Sequence, residues 1–107
     1  MKVFINNKLL ARHAWFSGPF GLMFKRLRPG EACVLTNNSV DRIGAGIHML
    51  FVPQELDIIW TDDKMRVVDL KHCKQWRFYW PNKPAKYVIE MLDAKKTRIG
   101  DKISFIS

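Results

Sequence analysis

Leu56-Asp57-Ile58-Ile59-Trp60-Thr61-Asp62-Asp63-Lys64-Met65-Arg66-Val67-Val68-Asp69-Leu70-Lys71-His72-Cys73 is the stretch that decides the fold class. Two runs rich in β-branched and aromatic residues flank a polar break, the pattern of an antiparallel hairpin that turns at Asp62-Asp63-Lys64. Side chains alternate along a strand, so Val68, Leu70 and His72 share one face of the return run. Val67, Asp69, Lys71 and Cys73 share the other. Just upstream, Ile47-His48-Met49-Leu50-Phe51-Val52 is near-continuously apolar and reads as a strand buried on both faces, ended by Pro53-Gln54-Glu55.

Working outward, Asn6-Asn7 separates Val3-Phe4-Ile5 from Leu9-Leu10. Asn tolerates positive φ, so this pair predicts a two-residue hairpin. Ser17 as an N-cap with Pro19 in the first turn allows one or two helical turns through Phe24, and Gly18 and Gly21 forbid a longer helix. Arg28-Pro29-Gly30 is a turn before the short strand Ala32-Cys33-Val34-Leu35-Thr36, and Asn37-Asn38-Ser39 reads as a loop. Lys86 to Met91 and Lys102 to Ile106 supply two closing strands, with Gly100-Asp101 turning into the last. Seven or eight short strands between turn signals predict an all-β sandwich or barrel with one or two short helical turns.

The 107 residues form one domain, because two would each fall below the size at which unassisted cores become marginal, about 60 residues. A hydrophobic fraction of 48% excludes a disordered scaffold. No apolar run nears the ~20 residues of a membrane span, and Asn6-Asn7 interrupts any signal-peptide stretch, so a cytoplasmic protein without membrane insertion is expected. Cys33 and Cys73 are too few for a disulfide scaffold and read as free, buried thiols. The net charge of +8 is uneven: +6 over residues 1–30, −4 over 31–70 and +6 over 71–107. Two basic segments flank an acidic middle, which suits an anionic partner such as nucleic acid.

Gly21-Leu22-Met23-Phe24-Lys25 resembles the Gly-Leu-Met-Phe-Arg signature of the domain-of-unknown-function 192 family of small β proteins. Ile47 to Val52 followed by Leu56-Asp57-Ile58-Ile59 is similar to its central strand pair. Tyr87-Val88-Ile89-Glu90 with Gly100-Asp101 is similar to its closing elements, and Trp76-Arg77 sits where the family often carries a Trp. The resemblance runs from about residue 10 to 106. It implies a compact β-sandwich or barrel of jelly-roll type and brings no established activity with it.

Asp57 and Glu90, carboxylates among apolar strand residues, are the candidates for general acid–base work if they face one pocket. The plainer expectation is that each accepts backbone hydrogen bonds and pins a turn. His13, His48, His72, Cys33 and Cys73 are the soft metal ligands. They lack metal-binding spacing, and adjacent His72 and Cys73 point to opposite faces, so no metal and no cofactor are expected. A Cys33–His48 nucleophile pair would lack an orienting third group. Gly44-Ala45-Gly46 leads into a strand without a third glycine and is no phosphate cradle.

Residues 71–86 hold five Lys/Arg, no acid and four aromatics. If extended, Trp76, Phe78 and Trp80 line one face, with Arg77 and Tyr79 on the other. Rings interleaved with cations suit a single-stranded nucleic-acid platform, which makes Trp76, Arg77, Tyr79, Trp80 and Lys83 the candidate binding residues. Burying such large rings over an open end of the core, with the cations as a solvated rim, is the structural alternative.

Overall fold

The computed structural model describes residues 1–18, 21–94 and 96–107. Ten strands form among them: β1 (Lys2–Ile5), β2 (Lys8–Ala11), β3 (His13–Phe16), β4 (Glu31–Asp41), β5 (Ile47–His48), β6 (Leu56–Thr61), β7 (Val67–Cys73), β8 (Phe78–Tyr79), β9 (Ala85–Met91) and β10 (Ile103–Ile106). The central sheet has the order β3-β4-β9-β6-β7, with β3 and β4 parallel and the other neighbours antiparallel. A three-stranded sheet, β10-β1-β2, covers one of its faces. A layer of loops carrying the β5-β8 ribbon covers the other. The sheets do not close into a barrel, so the fold is an open all-β sandwich.

This covering on both sides explains why the deciding stretch barely alternates. Ile59, Ile89, Val34 and Val67 pack against Val3, Ile5 and Ile103 of the small sheet. Ile58, Trp60, Val88 and Cys33 pack against Leu22, Ala45, Ile47 and Met49 of the loop layer. Trp60 is fully buried, and its indole N–H donates to the Ala45 carbonyl at 2.8 Å, fixing the loop layer to the sheet. Burying a Trp without such an acceptor would leave a donor unsatisfied.

The hairpins form where the turn chemistry placed them. Asn6 and Asn7 take φ of 48° and 69°, the left-handed pair that a two-residue loop needs. The β6–β7 hairpin is antiparallel and turns through residues 62–66, where Asp62 Oδ1 accepts the backbone N–H groups of Lys64 and Arg66.

Four readings need correction. No helix forms among the described residues: residues 21–24 make a turn, and Pro19 and Phe20 lie outside the described residues. The apolar run from Ile47 is a strand only through His48, after which Phe51 takes φ of 59°, Met49 and Val52 turn inward, and Phe51 turns out. Residues 37–39 continue β4, because the Asn37 side-chain amide donates to Ala85 O (3.2 Å) across a break in the β4–β9 ladder. A register shift between Trp60 and Thr61 puts Val67, rather than Val68, on the Leu70 face.

Cys33 and Cys73 are both buried free thiols. They lie on β4 and β7, with β9 and β6 between them. Three strand spacings are about 14 Å, well beyond the ~7 Å that a disulfide can span between Cα atoms. Burial above all, and Glu90 after it, pushes Cys33 up to about 11 and Cys73 up to about 12.

Candidate functional site

The outer surface of the loop layer carries a cluster of exposed rings. Phe24 and Phe51 lie 5.1 Å apart between centroids, and Phe51 and Trp76 lie 5.0 Å apart, edge to face. Phe24 is 74% exposed and Trp76 61%. All three residues adopt left-handed backbone, with φ of 62°, 59° and 65°. Such a conformation costs a side-chain-bearing residue about 1–3 kcal/mol. Backbone bonds hold them in it: Phe24 N–H donates to Phe51 O at 2.8 Å, Trp76 N–H to Met49 O at 3.0 Å and Met49 N–H to Arg77 O at 2.8 Å. Three separate segments are thereby tied into one presentation of rings.

The neighbouring β8 strand adds a second pair. Phe78 and Trp80 project outward with their rings nearly parallel, 6.3 Å apart. Tyr79 turns inward against the buried core, and its hydroxyl accepts the Lys74 N–H. The left-handed turn at Trp76 breaks the strand alternation, so Trp76 joins Phe51 and Phe24 instead of continuing the Phe78–Trp80 row. Trp80 is more constrained than Trp76, since its indole edge lies so close to Gly46 that a Cβ there would overlap Nε1. Arg77 and Lys83 are exposed, as are Lys25, Arg26 and Lys74, the cations beside Phe24 and Trp76 in the chain. The rings are therefore not a buried plug over the core. Phe24 and Phe51 had no signal beyond the family-like stretches that contain them, because positive φ at Phe has no sequence signature.

The two candidate carboxylates do not meet. Ile58 is the register partner of Glu90 and Met91 that of Asp57, so Asp57 and Glu90 lie on opposite faces of the sheet. Asp57 Oδ2 accepts the Ala94 N–H at 2.8 Å, pinning the segment after β9. Its Oδ1 lies 2.7 Å from His72 Nδ1, while His72 Nε2 lies 2.7 Å from Glu55 Oε1. Asp57 first, and Glu55 after it, raise His72 above its ordinary 6.5. Stability from this arrangement is fully present below pH 6.5 and is lost as pH rises through the folded value. An NMR titration of the His72 ring should give a midpoint above 6.5 that moves down in Glu55→Gln; a midpoint at or below 6.5 would refute the bridge.

Glu90 sits between strands on the loop-layer face, 4% exposed, beside a cavity also lined by Gly21 and His48. Burial pushes it up to about 7. His48 Nδ1 accepts the Leu50 N–H at 3.3 Å. Among the described residues, no group of three His, Cys, Asp or Glu is placed to hold a metal, and no helix is long and apolar enough to cross a membrane.

Comparison with known proteins agrees with this architecture. The family described as DUF192, Uncharacterized ACR, matches residues 14–105. A UPF0127 protein of Pyrococcus furiosus is 37% identical over 89 residues, covering 79% of this chain and 75% of that one. A UPF0127 protein of Thermococcus sibiricus is 42% identical over 78 residues, covering 69% of this chain and 51% of its own length. The crystal structure of a protein of unknown function from Novosphingobium aromaticivorans superposes with a TM-score of 0.82 at 20% identity. It covers 97% of this chain and 84% of that one, a likeness of fold. Matched by the family model over residues 14–105 and by relatives such as the Pyrococcus furiosus protein, this chain belongs to the DUF192 family of uncharacterised proteins.

Proposed function

We propose that the protein is a binding module whose contact face is the exposed ring cluster of the loop layer, and that its partner is single-stranded nucleic acid. The observation that carries this reading is the set Phe24, Phe51 and Trp76, three touching, exposed aromatics each held in left-handed backbone. Strained backbone of this kind clusters at binding sites, and here it holds large rings on an exposed apolar surface. Exposed rings stack on bases of any identity, and the flanking Lys25, Arg26, Lys74, Arg77 and Lys83 neutralise phosphates. Phe78 and Trp80 extend the platform, while Tyr79 supports it from beneath. A cytoplasmic location belongs to this reading, supported by two unpaired thiols held apart in the sheet.

The test is fluorescence anisotropy with a labelled oligothymidylate at several salt concentrations. For roughly three to five phosphate contacts the slope of log K against log salt should be about −2 to −3.5. Trp76→Ala should weaken binding by about 1–3 kcal/mol and leave that slope unchanged, because stacking is not ionic. Arg77→Ala or Lys83→Ala should instead flatten the slope by somewhat under one unit, about 0.7. A folded Trp76→Ala that binds as well as the parent overturns the reading.

A further inference from the structure

Among the described residues, the sheet face that carries Glu90 is only partly covered. An open groove of about 560 Å³ runs along it, bordered among the described residues by apolar Leu35 and Val88 and by polar Ser17, Thr36, Asn37 and Asn38. Leu35, Gly46 and Ile47 line this groove and also a narrower cavity of about 70 Å³. At that cavity stand Glu90 and His48. Glu90 is more than nine-tenths buried, and its Oε1 has no hydrogen-bond partner among the described residues. Gly21, with φ of 54°, keeps the space open: a Cβ there would lie 3.2 Å from that same oxygen.

We propose that this cavity is the head-group subsite of a small-molecule site, taking a primary ammonium on a short chain, with the ammonium donating to Glu90 Oε1 and the chain lying in the groove. The acceptor chooses the head group, since an ionised carboxylate only accepts hydrogen bonds and is strongest with a charged donor. No Lys or Arg stands among the described residues lining either space, so an ionised Glu90 lacks a fixed cation there and a cationic head group would supply one. Size narrows the class further. A cavity of about 150 Å³ admits benzene, so one of this size admits a few non-hydrogen atoms and no ring. The groove beyond offers an apolar wall for methylenes and a row of neutral side chains for hydroxyl or amide groups. Burial alone raises Glu90, and an arriving cation would reverse the cause of that rise and leave the carboxyl ionised. This site adjoins the ring surface at Gly46, against which Trp80 packs, but its acceptor Glu90 is no part of the ring cluster, and the proposal does not depend on the nucleic-acid reading.

The experiment is a ¹⁵N NMR titration of the whole chain with n-butylammonium, with N-acetyl-lysine methylamide and with neutral 1-butanol. Butylammonium should shift the Gly21, Gly46 and Ile47 amides saturably. Butanol should bind at least about tenfold more weakly, and so should butylammonium to Glu90→Gln. Should Glu90→Gln fail to fold, the butylammonium–butanol comparison on the parent chain decides. Equal binding of the lysine amide identifies a peptide lysine as a source of the head group, and binding of butylammonium alone identifies a free amine; both support the site. Absence of saturable butylammonium binding, equal binding of butanol, shifts confined to residues outside the groove, or undiminished binding to folded Glu90→Gln overturns it.

Discussion

Trp60→Ala should lower the stability of the domain by about 3–5 kcal/mol in urea denaturation, the cost of emptying a fully buried Trp site. The residue lies at the centre of the loop-layer core and has no exposed surface. Its removal leaves a cavity between β6 and the 45–49 segment and strips the Ala45 carbonyl of its 2.8 Å donor. Trp60→Phe separates these effects, because it refills much of the volume and leaves the carbonyl alone, at about 1–3 kcal/mol. The loss should also loosen the layer that presents Phe51 and Trp76, so oligonucleotide affinity should fall in Trp60→Ala although Trp60 cannot touch a ligand. A change in stability below about 1 kcal/mol would mean that the loop layer is not fixed through this residue.

Glu90→Gln should change how stability responds to pH. In the unfolded chain Glu90 ionises near its ordinary 4.5, and in the fold near about 7. Between those values the folded protein keeps a proton that the unfolded chain has released. Stability therefore falls as pH rises from about 4.5 and levels off above about 7, by on the order of 3 kcal/mol in all. Glutamine carries no such proton, so the variant should gain on the parent by that order between pH 4.5 and pH 8. His72 titrates in both proteins and cancels in the difference. Urea midpoints at the two pH values check this, and parallel pH responses in parent and variant would contradict it.

Much of the fold is legible because local chemistry and tertiary demand agree. Asn6-Asn7 and Asp62-Asp63-Lys64 name their turns through residues that stabilise turn backbone, and both hairpins form there. The chain was harder to read where an apolar run serves a loop. Residues 49–52 look like a strand because the loop layer must bury Met49 and Val52 against the sheet, and composition alone does not distinguish a buried turn from a buried strand. The bulge that exchanges Val67 and Val68 leaves no trace in two adjacent valines. At the candidate site, the aromatic and basic character of residues 71–86 was plain. The partnership with Phe24 and Phe51 was not, since it depends on backbone bonds between segments distant in sequence and on φ values that Phe rarely adopts. The separation of Asp57 from Glu90 follows from alternation once β6 and β9 are known to be neighbours, which is a fact of topology.

The four tryptophans make the most direct test, because each indole N–H gives its own NMR signal and the structure assigns them different surroundings. Trp76 and Trp80 lie on the ring surface, Trp15 packs beside His13 on β3, and Trp60 is buried with its N–H on Ala45 O. On titration with oligothymidylate at low salt, the Trp76 and Trp80 signals should move together and saturate while the Trp15 and Trp60 signals stay in place. Stationary Trp76 and Trp80 signals at saturation, or movement confined to Trp15, would contradict the assignment of this surface as the binding face.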